Sequence, residues 1–308
     1  MLRRLGFLRF AYDWRAPDVP LFERQVVALK QAGVALHAWW FPFNAADPIG
    51  RQILDVCRRQ EIRPQLWLRQ LWPPFPPLSL TPRDLPEGFP LELGLKEPGR
   101  LSVEQRTVLQ KAITRSRFRQ LPPEVWPQSP QDQARRVEQE ALRVGEIAVL
   151  AARQGMEVAL YNHGGWFGTM ENQLQMIDHL RRRGVDNVSL AYNFSHARDE
   201  WHDDSKDFAK LWGLIRPHVT TVNVSGIHMD DGTALLPTEG DRAAAAAMMQ
   251  IIEASGWSGP VGVTAESGGD NEVTLASALK GMEQLAAEIR HTGSAPGRTR
   301  SHQNSISR

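Results

Sequence analysis

The chain has 308 residues, a formal net charge of +1 and 42% hydrophobic residues. This length suits one large α/β domain or two small ones, and the balanced charge gives no electrostatic support for nucleic-acid binding. The single cysteine, Cys57, excludes a disulfide within the chain and a cysteine-based metal site. No apolar run reaches the ~18 residues of a membrane span, so none is expected.

The first part of the chain alternates short apolar runs with amphipathic segments. Strands are predicted at 5–11, 34–41 and 64–68, and helices at about 20–32 and 48–59. Residues 72–130 interrupt this alternation with a dense set of prolines, which remove backbone donors and fix φ, although 103–117 could form one helix. Two interpretations of this stretch remain open: a long loop or lid over a binding site, and a poorly ordered insertion.

The alternation returns after residue 131 with a long helix, predicted at 132–154. Four strand–helix pairs follow, with strands at 156–161, 187–192, 219–224 and 260–265 and helices at 170–183, 205–216, 241–255 and 272–290. Residues 291–308 have no apolar periodicity and are expected to form a disordered tail.

Three of these strands end at or beside an asparagine. Asn162, Asn193 and Asn223 lie 31 and 30 residues apart, a spacing typical of consecutive βα units. In a barrel of such units the carboxyl ends of the strands converge on one face, the mouth, where active sites are found. The sequence therefore predicts a polar pocket for a small polar molecule.

The predicted strands number seven, whereas a closed (β/α)₈ barrel has eight. One N-terminal βα unit is therefore expected to be absent, replaced by the proline-rich stretch, or lost through a late start site. Residues 1–6 are not followed by the long apolar region of a signal peptide, so the expected compartment is the cytoplasm. If a signal peptide was lost together with the missing unit, the protein is exported instead.

The segment from Tyr161 to Gly168 (YNHGGWFG) closely resembles bacterial sugar phosphate isomerase/epimerase-like proteins of the xylose isomerase-like TIM-barrel superfamily. Further matches follow in the family's order at 11–15, 40–42, 65–67, 192–196 and 259–262. The resemblance covers most of 5–71 and 131–287. It implies a (β/α)₈ TIM barrel over 1–290, a carbohydrate substrate and, in the best-known branches, a divalent metal held by two Glu, an Asp and a His.

Only part of that ligand set is present. Tyr161 and Asn193 stand where the resemblance implies a Glu and an Asp, and Asn223 stands where it implies a His. His196 keeps its place, and Glu266 lies near the last ligand position. A bound Mg²⁺ or Mn²⁺ would depend on His196 and Glu266, so weak binding or no tight binding is expected.

Candidate catalytic residues are the strand-end groups that can transfer a proton: His163, His196 and Glu266. Substrate contacts are predicted for strand-end amides, aromatic rings and a charged pair: Asn162, Asn193, Asn223, Tyr12, Trp40, Trp67, Trp166, Asp13 and Arg15. Structural alternatives remain open, because asparagines also satisfy strand-end backbone and tryptophans also fill cores. The charged pair could equally be an ion pair at the barrel rim.

These features predict a sugar isomerase/epimerase-like enzyme that moves a proton next to a carbonyl. The alternative is a catalytically degenerate barrel that binds a carbohydrate, which the replaced carboxylates and the missing unit favour. A DNA-repair endonuclease of the same superfamily is disfavoured, because that chemistry needs a multi-metal cluster and basic residues around it. A small carbohydrate is the only partner that the sequence predicts, with no nucleic acid and no membrane; the sequence does not determine the oligomeric state.

Overall fold

The computed structural model describes residues 8–12, 19–41, 44–69, 80, 84–96, 100–102, 104–105, 108–109, 112, 126–196, 205–224, 242–263 and 271–292. Seven parallel strands form one sheet in the order of the chain. They are β1 (Arg9–Tyr12), β2 (Ala35–Trp40), β3 (Gln65–Leu68), β4 (Val158–Tyr161), β5 (Val188–Asn193), β6 (Val219–Val224) and β7 (Val261–Val263).

Helices connect these strands, as the alternation in the sequence predicts. In chain order they are α1 (Val19–Gln31), α2 (Pro48–Arg59), α3 (Leu91–Lys96), α4 (Pro130–Ala152), α5 (Gly165–Gly168), α6 (Met170–Arg181), α7 (Ser205–Ile215), α8 (Arg242–Ala254) and α9 (Asn271–Thr292). Short 3₁₀ turns occupy Phe194–His196 and Arg216–His218. The predicted helices and strands agree with these bounds to within a few residues, apart from the start of β1, and the two short helices α3 and α5 were not predicted.

Local sequence signals explain where the long helices begin. Asp47 caps α2, because its carboxylate accepts the backbone N–H of Ile49 at 2.8 Å. Ser129 caps α4 in the same way, and its hydroxyl accepts the N–H of Asp132 at 3.1 Å. Gly155 ends the connection after α4 with φ +66°, a conformation that glycine adopts without steric cost.

The strands alternate between two apolar layers. On β4, Val158 and Leu160 face the helices in the large outer core, whereas Ala159 and Tyr161 face inward. The inward layer is a small cluster of Ala38, Trp67, Ala159, Tyr161 and Ala191. Because side chains alternate along a strand, the residues that reach the interior are set by the register of the strands.

Side chains of distant strands meet inside the sheet. His37 Nε2 on β2 lies 3.1 Å from Thr221 Oγ1 on β6, and Gln65 on β3 donates to Thr220 on β6 at 2.9 Å. In a flat sheet β2 and β6 would lie about 19 Å apart, four spacings of about 4.8 Å. The sheet is therefore rolled into a barrel, and a shift in register after Leu190 brings both threonines into this interior.

In the described part of the chain, β1 and β7 each pair with a single neighbour, and no eighth strand is present. The predicted count of seven strands therefore holds for these residues. The fate of the eighth βα unit stays a prediction.

Part of the proline-rich stretch is folded. Leu101, Leu109 and Ala112 are buried, and a Cβ added to Gly94 of α3 would lie 2.9 Å from Leu109 and 3.0 Å from Leu101. Within the predicted helix at 103–117, the described residues 104–105, 108–109 and 112 are helical. The first two residues of the predicted tail, 291 and 292, end α9, and the rest of the tail lies outside the described residues.

None of the helices in the described part of the chain combines the length and hydrophobicity that crossing a bilayer requires.

Candidate active site

Three aromatic rings line the interior of the barrel at the mouth and form an aromatic floor (Trp40, Trp67 and Tyr161). The rings of Trp67 and Tyr161 stack with centroids 5.4 Å apart, and Trp40 meets each of them edge-on at 5.5 Å. Trp67 and Tyr161 are only 2% and 1% exposed, whereas Trp40 is half-buried. Of the three rings, Trp40 is therefore the one that remains accessible for stacking against a ligand.

Two histidines lie beside this floor and form a histidine pair (His163 and His196). His163 follows β4 by two residues, and His196 ends the 3₁₀ turn after β5. Their ring centroids are 4.5 Å apart, and they lie 6.4 Å and 6.0 Å from the ring of Tyr161. His163 is exposed and His196 is half-buried, so both are titratable groups within reach of a ligand at the mouth.

Glycines shape the loop that carries His163. Gly164 and Gly165 have φ of +73° and +64°, which an L side chain rarely adopts. Gly168 closes the turn, because a Cβ there would lie 2.9 Å from the backbone nitrogen of His163. The short helix α5 can therefore fold back directly beneath His163.

Asn162 clamps β4 to β5. Its side-chain oxygen accepts the backbone N–H of Asn193 at 2.7 Å, and its amide nitrogen donates to the carbonyl of Asn193 at 2.9 Å. The side chain is 1% exposed, and both of its polar ends are already paired. These contacts favour a structural role, the alternative that strand-end asparagines commonly fill, and the sugar contact of Asn162 stays a prediction.

Asn193 and Asn223 converge on the hydroxyl of Tyr161. The amide of Asn193 donates a short hydrogen bond to that oxygen, and the amide nitrogen of Asn223 lies 3.5 Å from it. Asn223 packs against β7, where a Cβ on Gly262 would lie 2.6 Å from its side-chain oxygen. These three buried residues form an amide–phenol cluster (Tyr161, Asn193 and Asn223).

Tyr161 is the residue of this cluster that the predicted set of substrate contacts omits. Its sequence signal was available, since alternation along β4 points it inward at the strand end. The resemblance marks Tyr161 only as the replacement of an implied Glu. Its hydroxyl is nevertheless the point on which the side chains of β5 and β6 converge.

A second polar group lies deeper in the barrel and forms a base network (Gln65, Ser189 and Thr220). Gln65 accepts the indole N–H of Trp67 at 2.9 Å and donates to Thr220 at 2.9 Å and to Ser189 at 3.3 Å. A structural role is favoured for Trp67, because its ring lies under Tyr161 and its N–H is bound to Gln65. Its substrate contact stays a prediction.

Trp166 lies away from the mouth. It is 1% exposed in the outer core, and its indole N–H donates to Gln133 on α4 at 2.8 Å. The guanidinium of Arg136 covers its ring at 4.4 Å from the centroid. This position favours the open alternative, a tryptophan that fills the core, and the substrate contact of Trp166 stays a prediction.

The remaining predicted site residues fall on parts of the chain that are not described. Asp13, Arg15 and Glu266 lie outside the described residues, and of Tyr12 only the backbone, at the end of β1, is described. Their predicted roles as a charged pair, as an acid or base and as a substrate contact stay predictions.

The described mouth residues do not fit the metal site that the resemblance implies. The groups at the ends of β4, β5 and β6 are a phenol and two amides, which are neutral and paired with one another. Within the described residues, no group of three or more His, Cys, Asp or Glu could hold a metal ion. Divalent cations favour carboxylate-rich ligand sets, so these donors alone suit such an ion poorly.

The fold and the order of these elements agree with a comparison to known families. A model of the xylose isomerase-like TIM barrel family matches residues 105–290, and the chain belongs to this family. A search against curated proteins finds no match.

Solved structures with the same fold include several sugar epimerases. A D-tagatose 3-epimerase-like protein is 11% identical with a TM-score of 0.56, over 94% of this chain and 91% of that chain. An L-ribulose 3-epimerase is 13% identical with a TM-score of 0.53, over 96% and 91%. A D-allulose 3-epimerase from Methylomonas sp. is 14% identical with a TM-score of 0.52, over 92% and 88%. At these identities the likeness establishes the fold alone.

Proposed function

We propose that this protein is a sugar isomerase/epimerase-like enzyme that moves a proton next to the carbonyl group of a small carbohydrate. The observation that carries this proposal is the histidine pair, with two accessible imidazole rings 4.5 Å apart beside an aromatic floor at the mouth of the barrel. Imidazole is the side chain whose ordinary proton affinity best suits acid–base transfer near neutral pH.

The short distance between the two rings favours different roles for them, one as the proton acceptor and one as the proton donor. Two imidazolium ions this close repel each other, so the pair disfavours two protonated rings, and the proposed reaction starts from one neutral and one protonated ring. The neutral ring takes the proton from the carbon next to the carbonyl, and the electron pair of that C–H bond moves towards the carbonyl oxygen. The protonated ring gives its proton to that oxygen, which yields an enediol. Isomerisation follows when the ring returns the proton to the neighbouring carbon and the other enediol hydroxyl gives up its proton to re-form a carbonyl. Epimerisation follows when the proton returns to the original carbon on the opposite face.

Trp40 supplies the proposed stacking surface for the sugar. Its ring is half-buried, so part of it is accessible at the mouth. The apolar face of a sugar ring suits such an aromatic surface. Glu266, Tyr12, Asp13 and Arg15 stay proposed members of the site on the strength of the sequence. The cytoplasmic location likewise stays a prediction.

The test is exchange of solvent deuterium into a panel of sugars. The panel holds D-tagatose, L-ribulose and D-allulose, the sugars named for the structural neighbours, together with aldoses and oxidised derivatives. We expect exchange with at least one sugar, and a loss of about 10²–10⁴-fold in His163→Ala or His196→Ala. His179→Ala on α6 is the matched control, because that ring lies on the outer helix layer beside Arg183.

A second candidate is a catalytically degenerate barrel that binds a carbohydrate. The neutral amide–phenol cluster in place of the implied ligands favours it. The second function is favoured over the enzyme if no sugar of the panel exchanges deuterium while several bind to the wild type and lose affinity in Trp40→Ala.

A further inference from the structure

The amide–phenol cluster stands where the family resemblance implies three metal ligands. Asn193 and Asn223 are paired in register on neighbouring strands, and Tyr161 ends the strand before them. Their polar atoms meet at one oxygen, the hydroxyl of Tyr161. The three side chains that would have to point at a cation therefore point at each other.

Close packing holds this arrangement in place. Tyr161 is stacked on Trp67, whose indole N–H is bound to Gln65 below. On the other side, Asn223 abuts Gly262, the residue paired with it on β7. Tyr161, Asn193 and Asn223 are 1%, 1% and 4% exposed. A cation at this point would have to break at least one of the hydrogen bonds and move a buried side chain.

We infer that the amide–phenol cluster fills the position of the metal site that the resemblance implies, with the phenol oxygen of Tyr161 where the cation would lie. Neutral amide and phenol groups give a divalent ion little Coulomb attraction, and a tyrosine ring fills volume that a carboxylate would leave open. His196 and, beyond the described residues, Glu266 provide too few strong ligands for tight binding.

For the chemistry, which rests on the proposed function, this means that the charge on the carbonyl oxygen is met by protein donors. The histidine pair lies beside the cluster, with ring centroids 6.4 Å and 6.0 Å from the ring of Tyr161. A protonated imidazole placed there stabilises a developing oxyanion without a metal.

The test restores the implied ligands and measures metal binding rather than activity. Mn²⁺ alone is titrated by calorimetry into the wild-type chain and into the triple variant Tyr161→Glu, Asn193→Asp, Asn223→His. We expect no wild-type binding tighter than about 100 μM, and at least about tenfold tighter binding in the triple variant. Asn162→Asp is the matched control: it adds a carboxylate at the same mouth, but at the strand clamp, and should give no gain.

Two results would overturn the inference. One is tight binding of Mn²⁺ by the wild type. The other is a folded triple variant, verified by circular dichroism, that binds no better than the wild type. If the triple variant does not fold, the pair Tyr161→Glu, Asn193→Asp decides in the same way. Because no sugar is involved, failure here is distinguishable from failure of the proposed function, which the deuterium exchange of the wild type decides.

Discussion

The barrel interior contains two polar layers that behave differently. The base network of Gln65, Ser189 and Thr220 is linked by hydrogen bonds of 2.9–3.3 Å and has no titratable member. The mouth also has paired amides, but it adds the histidine pair, one ring exposed and one half-buried. Buried polar groups that satisfy one another stabilise a fold, whereas accessible titratable groups are free to do chemistry. Polarity inside a barrel is therefore not sufficient to mark a site.

The largest expected effect comes from disrupting the base network. Gln65→Leu removes the acceptor of the Trp67 N–H and the donor to Thr220, which leaves a buried donor without a partner. We expect the free energy of unfolding to fall by about 2–4 kcal/mol, measured by urea denaturation. Gln175→Leu is the control, because the contact of Gln175 with Gln133 is long, at 3.5 Å. Equal stability of the two variants would contradict a structural role for the base network.

The next effect tests the packing of the mouth. Gly262→Ala places a Cβ 2.6 Å from the side-chain oxygen of Asn223, which must move away from Tyr161. We expect a loss of about 1–3 kcal/mol in unfolding free energy. Gly213→Ala on α7 is the control, because its added Cβ has no neighbour within 4 Å, and it should be neutral or stabilising. A Gly262→Ala variant as stable as wild type would mean that Asn223 is not held against β7.

A smaller effect separates ligand binding from chemistry at the mouth. If the proposed enzyme is active, Trp40→Leu should raise KM about 3–10-fold with little change in kcat, because a stacking ring contributes roughly 0.5–1.5 kcal/mol. Trp126→Leu, at a tryptophan that is 48% exposed, is the control and should leave both constants unchanged. A fall in kcat with an unchanged KM would assign Trp40 to the chemistry instead.

The smallest expected effect is a pH dependence below the mouth. Burial, followed by the charge of Arg9, lowers the pKa of His37, which pairs with Thr221 across the barrel. The unfolded chain therefore binds the proton more readily, and stability is lost as pH falls below about 6.5. His37→Gln, which keeps a donor for Thr221 without titrating, should flatten the stability profile between pH 7.5 and 5. A profile as steep as that of wild type would place the dependence elsewhere.

The sequence predicted the alternation of strands and helices well, because period and caps are local signals. The start of α2 at Pro48 and the paired strand ends at Asn193 and Asn223 are examples. The strand-end position of His163 and His196 was equally readable. Their separation of 4.5 Å was not, because it depends on how two loops fold over the barrel.

The predicted contacts that the structure does not favour concern residues whose type suits two roles. Trp166 follows β4 as closely as a site residue would, but its indole points to Gln133 in the outer layer. The side chain of Asn162 is hydrogen-bonded to the backbone of Asn193. Which partner an amide or an indole N–H finds is a long-range property, and no local pattern contains it.

The central claim is that the histidine pair transfers the proton at the mouth without a metal. Its most direct test is the exchange of solvent deuterium into the sugar that the panel identifies, measured with protein treated with EDTA. The account predicts that exchange survives EDTA within about threefold, and that it falls by about 10²–10⁴-fold or more in the double variant His163→Ala, His196→Ala. Exchange that disappears with EDTA and returns with Mn²⁺, or that persists in the double variant, would contradict it.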